Sequence, residues 1–332
     1  MRGWLVAIGI VALIVLGFVF IKPPTPTIVL APEHIFDIGP LEVTNTMFTS
    51  WVVVVLMVGA AVLAGRSMSL VPSGVSGAIE AFVGGFYAFI ENIVGEVNAR
   101  RFFPVVTTIF LYVLFANYVG LLPINFAVGR TEPGAGETQA VFQQTSIAGI
   151  DLAFIPLKSE EVDTEEQEPL VPGEEEEHGS FSGLLAPYFR SVMTDVNAPA
   201  ALAIMSFVFV EYWAFSTLGF GYLKKFFAFG NLLRGRPMGI IDVFVGLLEL
   251  VSELIRMVSF TFRLFGNVFA GEVLLLMMSF LVPLVLVDVF YGLELFVGLI
   301  QAFVFAMLTL VFAQTAVASH GGEHEEYSAA HE

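Results

Sequence analysis

Apolar residues in this chain come in long unbroken runs, separated by segments where charge and proline gather. The first, Trp4 to Ile21, is just long enough to cross a bilayer and stops at Lys22-Pro23-Pro24. It reads as a retained span; a cleaved signal peptide is the alternative, without a convincing small-x-small site before the prolines. A Pro-rich linker through Pro40 leads to a second run, Met47 to Ala64, closed by Arg66. From Val75 to Val97 the pattern changes: Val75, Ile79, Phe82, Phe86, Phe89, Ile93 and Val97 recur at helical spacing, with Glu80, Glu91 and Glu96 between them. That is an amphipathic helix, either packed along other spans or lying at the membrane surface as a docking face for partner subunits. Arg100-Arg101 then open a span from Phe103 to Leu122 that contains Asn117 and ends at Pro123. Three more apolar runs follow, Ala198 to Leu218, Gly239 to Met278 and Val289 to Ala318. The pattern predicts an all-α polytopic membrane protein, its last two long helices forming a hairpin turned near Pro283 and Asp288.

Composition supports that reading. Of 332 residues 57% are hydrophobic and only 14% charged, against about 25% charged in soluble domains. There is no cysteine, which excludes disulfides, thiolate metal sites and cysteine nucleophiles. The net charge of −17 is concentrated locally: between Asp151 and Glu177 eleven acidic residues face one base, Lys158. The stretch from Arg130 to Phe189 is therefore expected to be a solvated, mobile external insert; a cation antenna is the alternative. No basic patch interleaved with aromatics points to nucleic acid. The tail from His320 carries three His among Glu and reads as a frayed end or an adventitious metal binder, so no metal or cofactor is expected. Placing Arg2 inside and alternating puts Arg66, Arg100, Arg101, Lys224, Lys225, Arg234 and Arg236 inside too, eight of the fourteen Lys and Arg. This orientation obeys the positive-inside rule, with the acidic segment outside and the C-terminus cytoplasmic.

The run from Gly239 to Met278 has no Pro and carries a polar stripe. At about 100° per residue, Glu249, Ser252, Arg256, Ser259 and Asn267 all fall within roughly 40° of Arg263. A helix of that length spans roughly 60 Å, about twice the hydrocarbon thickness. It must tilt strongly or emerge into water, and its stripe must face protein or water. A central arginine is costly in a membrane, so a functional role is the default; pairing with Glu249 or Glu253 to hold a bundle is the structural alternative. The hairpin places polar groups in layers: Arg263 and Gln301 are equally far from a turn near 282–283, and so are Glu272 and Glu294. Glu249, Ser252 and Glu253 lie on the other side of Arg263.

Two motifs carry a resemblance. Arg263-Leu264-Phe265-Gly266-Asn267 with Ala270-Gly271-Glu272, and downstream Gln301-Ala302-Phe303-Val304-Phe305, resemble the signatures of subunit a of F-type ATP synthases, in the same order and at the same end of the chain. The resemblance covers roughly Glu33 to Ser319, so residues 1–46 read as an extra N-terminal helix and linker and 47–332 as the subunit a-like membrane domain with its acidic insert at about 130–190. It implies a stator in a bacterial inner membrane, its tilted hairpin beside a rotating ring of hydrophobic, carboxylate-bearing subunits (subunit c), with peripheral stalk subunit b and a soluble nucleotide-hydrolysing head as further partners. No Gly-rich phosphate loop occurs in the sequence, so nucleotide chemistry is expected on other chains. Arg263 becomes the fixed charge separating two aqueous half-routes, one with Glu272 and Glu294, the other with Glu249, Ser252 and Ser259; Asn267 and Gln301 line the path, Gln301 also orienting Arg263. Asp195-Val196-Asn197 resembles the family's Asp-x-Asn at the head of a span; Asp195 and Asn197 either cap that helix or support the path. Two departures stand out. Glu294 occupies a position where family members often have His, and Gly120 stands where some have an acid. A secondary transporter binding an anion at Arg263 is the competing class, but the two halves show no evident duplication.

Overall fold

The computed structural model describes residues 2–20, 28, 30–67, 74–122, 125, 128–132, 138–147, 150–154, 161–163, 180–219, 221–222, 226, 238–282 and 285–318. Six helices dominate: α1 Arg2–Phe20, α2 Asn45–Ser67, α3 Val75–Gly120, α4 Asn197–Leu218, α5 Met238–Leu281 and α6 Leu286–Ala318. Five of them, α2 to α6, are long and apolar enough to cross a membrane. Pro283, expected at the turn of the hairpin, lies outside the described residues, as do Lys224, Lys225, Arg234, Arg236 and the tail from His320.

Two expectations change. The amphipathic segment and the span after it follow one another without a loop as α3, interrupted only by a kink at Gly95, whose φ of 77° and ψ of 161° are non-helical. Such a conformation is open almost only to glycine. Nothing lies within 4 Å of a Cβ built there, so the requirement for glycine is conformational and not steric. The second change is that the protein is mostly helical, not all-α. A hairpin, β1 His34–Ile38 and β2 Leu41–Thr44, precedes α2. Where a mobile insert was expected there is a five-stranded antiparallel sheet of β3 Val128–Glu132, β4 Thr138–Ile147, β5 Ile150–Phe154, β6 Glu161–Asp163 and β7 Ser180–Pro187, in the order β5-β3-β7-β4-β6. β5 also pairs with β4, so β3, β7, β4 and β5 close on themselves. The acid count hid these strands because most of it falls between them: Glu160, Glu165, Glu166, Glu168 and Glu174 to Glu177 lie outside the described residues.

The chain divides into two compact units. The first comprises Met1–Leu56, Leu114–Asp195 and Phe265–Ile300. Its organising knot is Asn45, fully buried at the head of α2. The Asn45 amide donates to Pro187 O (3.3 Å) and Glu33 Oε2 (3.2 Å), while its Oδ1 accepts from the N–H groups of Thr46 and Glu33. Thr44 Oγ1 accepts from Met47 N–H at 3.4 Å, an N-cap for α2. The start of α2 is thereby tied to the end of β7.

The second unit comprises Met57–Val113, Val196–Leu264 and Gln301–Glu332. Aromatic rings fill its core: Phe102 meets Trp213 at 4.4 Å between centroids, and Phe260 packs on both Phe305 and Phe312. Polar pairs set the helix register, Asn98 Nδ2 donating to Gln314 Oε1 at 3.1 Å and the Ser206 and Thr309 hydroxyls meeting at 2.8 Å. In an apolar surrounding these hydrogen bonds have no competing water and select one packing. Large apolar residues of α5 such as Phe244, Ile255 and Phe262 are more than half exposed, as suits a helix covered by lipid or by another subunit.

Candidate functional site

In the first unit, the end of α3, the loop after β7, the C-terminal part of α5 and the N-terminal part of α6 enclose a cavity of about 410 Å³. Along α5 it is lined from Asn267 to Ser279, and along α6 from Asp288 to Gly298. Glu272 and Glu294, predicted to share one depth, both line it, with Asn267.

Glycines make this approach possible. A Cβ built on Gly271 would fall within the Glu294 carboxyl group, so the small residue beside Glu272 is the seat of the second carboxylate. A Cβ on Gly120 would stand 2.5 Å from Ser191 Oγ and 3.2 Å from Ser191 Cα. Position 120 thus has no room for a side chain here. A Cβ on Gly298 would touch Asn117 Cβ at 3.2 Å, and Asn117 Nδ2 donates to Gly298 O at 3.1 Å.

Four oxygens around the cavity are buried without a hydrogen-bond partner among the described residues: Asn117 Oδ1, Asn125 Oδ1, Ser191 Oγ and Glu272 Oε2. The asparagine orientations are fixed from their other ends, Asn125 Nδ2 donating to Val119 O at 3.0 Å and to Gly120 O. Buried polar groups are normally satisfied by protein or water, and a cavity of this size with several polar atoms on its wall is roomy enough for water. The arrangement suits an aqueous pocket with two carboxylates on its wall.

Sequence reasoning missed Arg190, which stands out there only as one of the few bases on the outer side. Arg190 is 3% exposed. Its Nε donates to Glu272 Oε1 at 3.1 Å and its Nη1 to Ala31 O at 3.0 Å, and its N–H donates to Thr49 Oγ1 at 3.2 Å. An arginine inside the apolar run Leu184-Leu185-Ala186-Pro187-Tyr188-Phe189 and just before Val192-Met193 was the available signal. Asp195 follows; its Oδ2 accepts from Thr46 Oγ1 at 3.1 Å. The N-cap position of α4 is Val196, which gives no side-chain cap, and Asn197 is exposed at the first turn.

In the second unit the predicted stripe is present on α5, and its members differ in surroundings. Arg263, Ser259 and Ser252 are exposed, Glu249 and Arg256 half-buried. Arg263 makes no ion pair among the described residues; the Phe260 ring lies 5.9 Å from its guanidinium carbon. The bundle-holding pair with Glu249 or Glu253 is not formed. Arg256 instead stacks on Phe312 at 4.0 Å, a cation–π contact. Gln301 is buried with its Nε2 unpartnered among the described residues, and no hydrogen bond joins it to Arg263. Between α4 and α5, buried Tyr222 donates its hydroxyl to Glu211 Oε1 at 3.0 Å. Burial pushes the Tyr222 phenol up, and the charges of Glu253, Glu211 and Glu249 push it further, so it remains a proton donor at any working pH.

A mostly helical chain with five helices able to cross a membrane, a cavity with Glu272, Asp288 and Glu294 on its wall and an arginine without a counter-ion among the described residues defines a multi-pass membrane protein of the ion-translocating class. The ATP synthase A chain family matches residues 47–314, and the chain belongs to that family. It is similar to ATP synthase subunit a of Moorella thermoacetica, 24% identical over 87% of this chain and 98% of that protein. The same-named protein of Gloeobacter violaceus is 29% identical, covering 87% and 90%; that of Helicobacter pylori is 27% identical, covering 87% and 99%.

The seat of Glu294 gives a direct test. Gly271→Ala should expel the carboxyl and slow ATP-driven proton pumping several-fold in the assembled complex. Adding Glu294→Asp, one methylene shorter, should recover part of the loss. Parental pumping in Gly271→Ala would show that Glu294 works from another position.

Proposed function

We propose that this chain is the proton-conducting stator subunit of an F-type ATP synthase. The observation that carries the reading is the presence, on one helix, of an arginine with no carboxylate partner among the described residues and a cavity wall bearing Glu272. In this reading the cavity is the outer half-route, and Glu272, Glu294 and Asn267 line its way toward the ring. Glu249, Ser252 and Ser259 belong to the inner half-route, on the other side of Arg263 along α5, and Gln301 supports the layer of Arg263. Asp195 and Asn197 brace the outer wall.

The chemistry follows from the charge of Arg263, a guanidinium that stays protonated at any working pH. A carboxylate of the ring arriving beside it is favoured ionised, so it gives its proton to one route and, after leaving, takes one from the other. The same charge discourages a proton from crossing directly between the routes, because a second positive charge in low dielectric is strongly disfavoured. Nucleotide chemistry belongs to the soluble head, reached through the ring and stalk subunit b. The membrane is a bacterial inner membrane, with α5 and α6 tilted against the ring and the C-terminus cytoplasmic.

Arg263→Ala should abolish ATP-driven pumping while the subunit still inserts and assembles, and passive proton leak should rise. Arg263→Lys should fail in large part, because an ammonium lacks the wide planar fork. Coupled pumping at the parental rate in either variant would refute the stator-charge role. For orientation, a reporter placed near Glu166 should read external and one following Glu332 cytoplasmic; cleavage near Glu166 by protease added from the cytoplasmic side would reverse the assignment.

A further inference from the structure

In the second unit, α4 is 22 residues long, about 33 Å at 1.5 Å per residue, close to the thickness of a bilayer's hydrocarbon core. Its last turn therefore stands at headgroup depth. Two residues there, Ser216 and Thr217, are exposed. Half-buried Arg101, from the part of α3 that follows Gly95, reaches both: its Nη2 donates to Ser216 Oγ and its Nη1 to Thr217 Oγ1 at 3.2 Å. No carboxylate among the described residues pairs with Arg101, whereas its neighbour Arg100 is matched by Glu96, one turn back, at 2.6 Å. Each hydroxyl oxygen accepts from the guanidinium and still has its own O–H to give. The open carbonyls at the end of α4 attract the same guanidinium, but they are neutral dipoles and leave its charge to be met. The cluster is rich in donors and carries one positive charge. Away from it the surface turns apolar. Four, eight and eleven residues before Ser216, on the same face of α4, Tyr212, Val208 and Met205 are each more than half exposed. On α3, Pro104 and Thr108, three and seven residues after Arg101, are exposed as well. Thr108 turns its hydroxyl back onto Pro104 O at 2.7 Å, so it offers no free donor.

We propose that Arg101, Ser216 and Thr217 bind the phosphate of an anionic phospholipid, one of whose acyl chains lies along Tyr212, Val208 and Met205. A phosphodiester has two free oxygens and no proton to give, the complement of a guanidinium edge flanked by two hydroxyls. The apolar track selects a lipid over a free anion: inorganic phosphate would leave that track bare, whereas a diacyl lipid covers cluster and track together. The charge selects an anionic headgroup, because a zwitterionic one brings its own cation up beside Arg101. Tyr212 suits the boundary between the two zones, its ring facing the chain and its hydroxyl the headgroups. On the orientation proposed above, the lipid belongs to the cytoplasmic leaflet. The site itself needs only that these helices cross a bilayer, and it stands apart from the proton route.

The test uses the assembled complex in phosphatidylcholine bilayers doped with a phosphatidylglycerol that carries a photoactivatable diazirine on one acyl chain. Phosphatidylcholine with the same diazirine is the reference probe, and labelled peptides are mapped by mass spectrometry. The α4 segment from Met205 to Tyr212 should take up the phosphatidylglycerol probe about fivefold more than the reference, the factor that one basic residue supplies near an anionic surface. Arg101→Gln, whose amide can still bond a hydroxyl, should remove that preference, and Arg101→Lys should retain part of it. Ser216→Ala/Thr217→Val leaves the arginine, takes away both hydroxyls and should weaken the preference. Equal labelling by the two probes in the parent would overturn the proposal and reduce Arg101 to a tie between α3 and α4. An unchanged preference in Arg101→Gln would do the same, as would an unchanged preference in the double hydroxyl variant, which carries the test if Arg101→Gln fails to assemble. Loss of the preference on adding excess inorganic phosphate would overturn the lipid assignment in favour of a free anion.

Discussion

A charge within the thickness of a membrane must be paired, hydrated or met by a partner, because the bilayer interior provides no other compensation. The charged groups of this chain meet that constraint in distinct ways. Arg190 and Glu272 pair with each other in a buried site. Glu294 borders a cavity with room for water. Arg256 rests its guanidinium on an aromatic ring. Arg263 is exposed on α5 and unpaired among the described residues, which leaves its compensation to come from outside them. The proposed role of Arg263 builds on that inequality among similar-looking charges.

Glycine provides the geometry. Gly271, Gly120 and Gly298 each stand where a Cβ would collide with or press on Glu294, Ser191 or Asn117. Removing those side chains lets polar groups approach backbone closely, and the result is a cavity with polar atoms on its wall inside an otherwise apolar protein. The wall opposite the helices is not helical. The loop after β7 brings Arg190 and Ser191 to the cavity, and it is anchored through Asn45 to the head of α2. The sheet and the cavity are therefore connected through the covalent chain: β7 ends at Pro187, whose carbonyl is held by Asn45, three residues before Arg190.

The helices were legible from the sequence because lipid imposes a simple rule on composition over some twenty residues; α2, α4, α5 and α6 fall close to their expected limits. The stripe on α5 followed from helical spacing, and the common depth of Glu272 and Glu294 from their equal distance to a turn; that both border one cavity did not follow from either. The strands were not legible. Short segments such as Ile150–Phe154 and Val128–Glu132 sit between acid-rich connections, and a charge count over the whole window averaged them away. Arg190 was missed for a related reason. Its role depends on Glu272, 82 positions away, and no local pattern reports a partner at that distance. The break between the two expected helical stretches of α3 turned on the backbone angles of a single residue, Gly95.

The central claim is that the exposed, uncompensated face of α5 around Arg263 meets the carboxylate-bearing ring. Because the chain has no cysteine, single-cysteine cross-linking reads this cleanly. Ser259 lies on the Arg263 face and is exposed, whereas Leu264 is fully buried. In the assembled complex, Ser259→Cys should form an oxidative cross-link to a cysteine placed beside the ring carboxylate, and Leu264→Cys should not. Absence of the Ser259→Cys product in an assembled, pumping complex, together with its appearance from Leu264→Cys, would contradict the account.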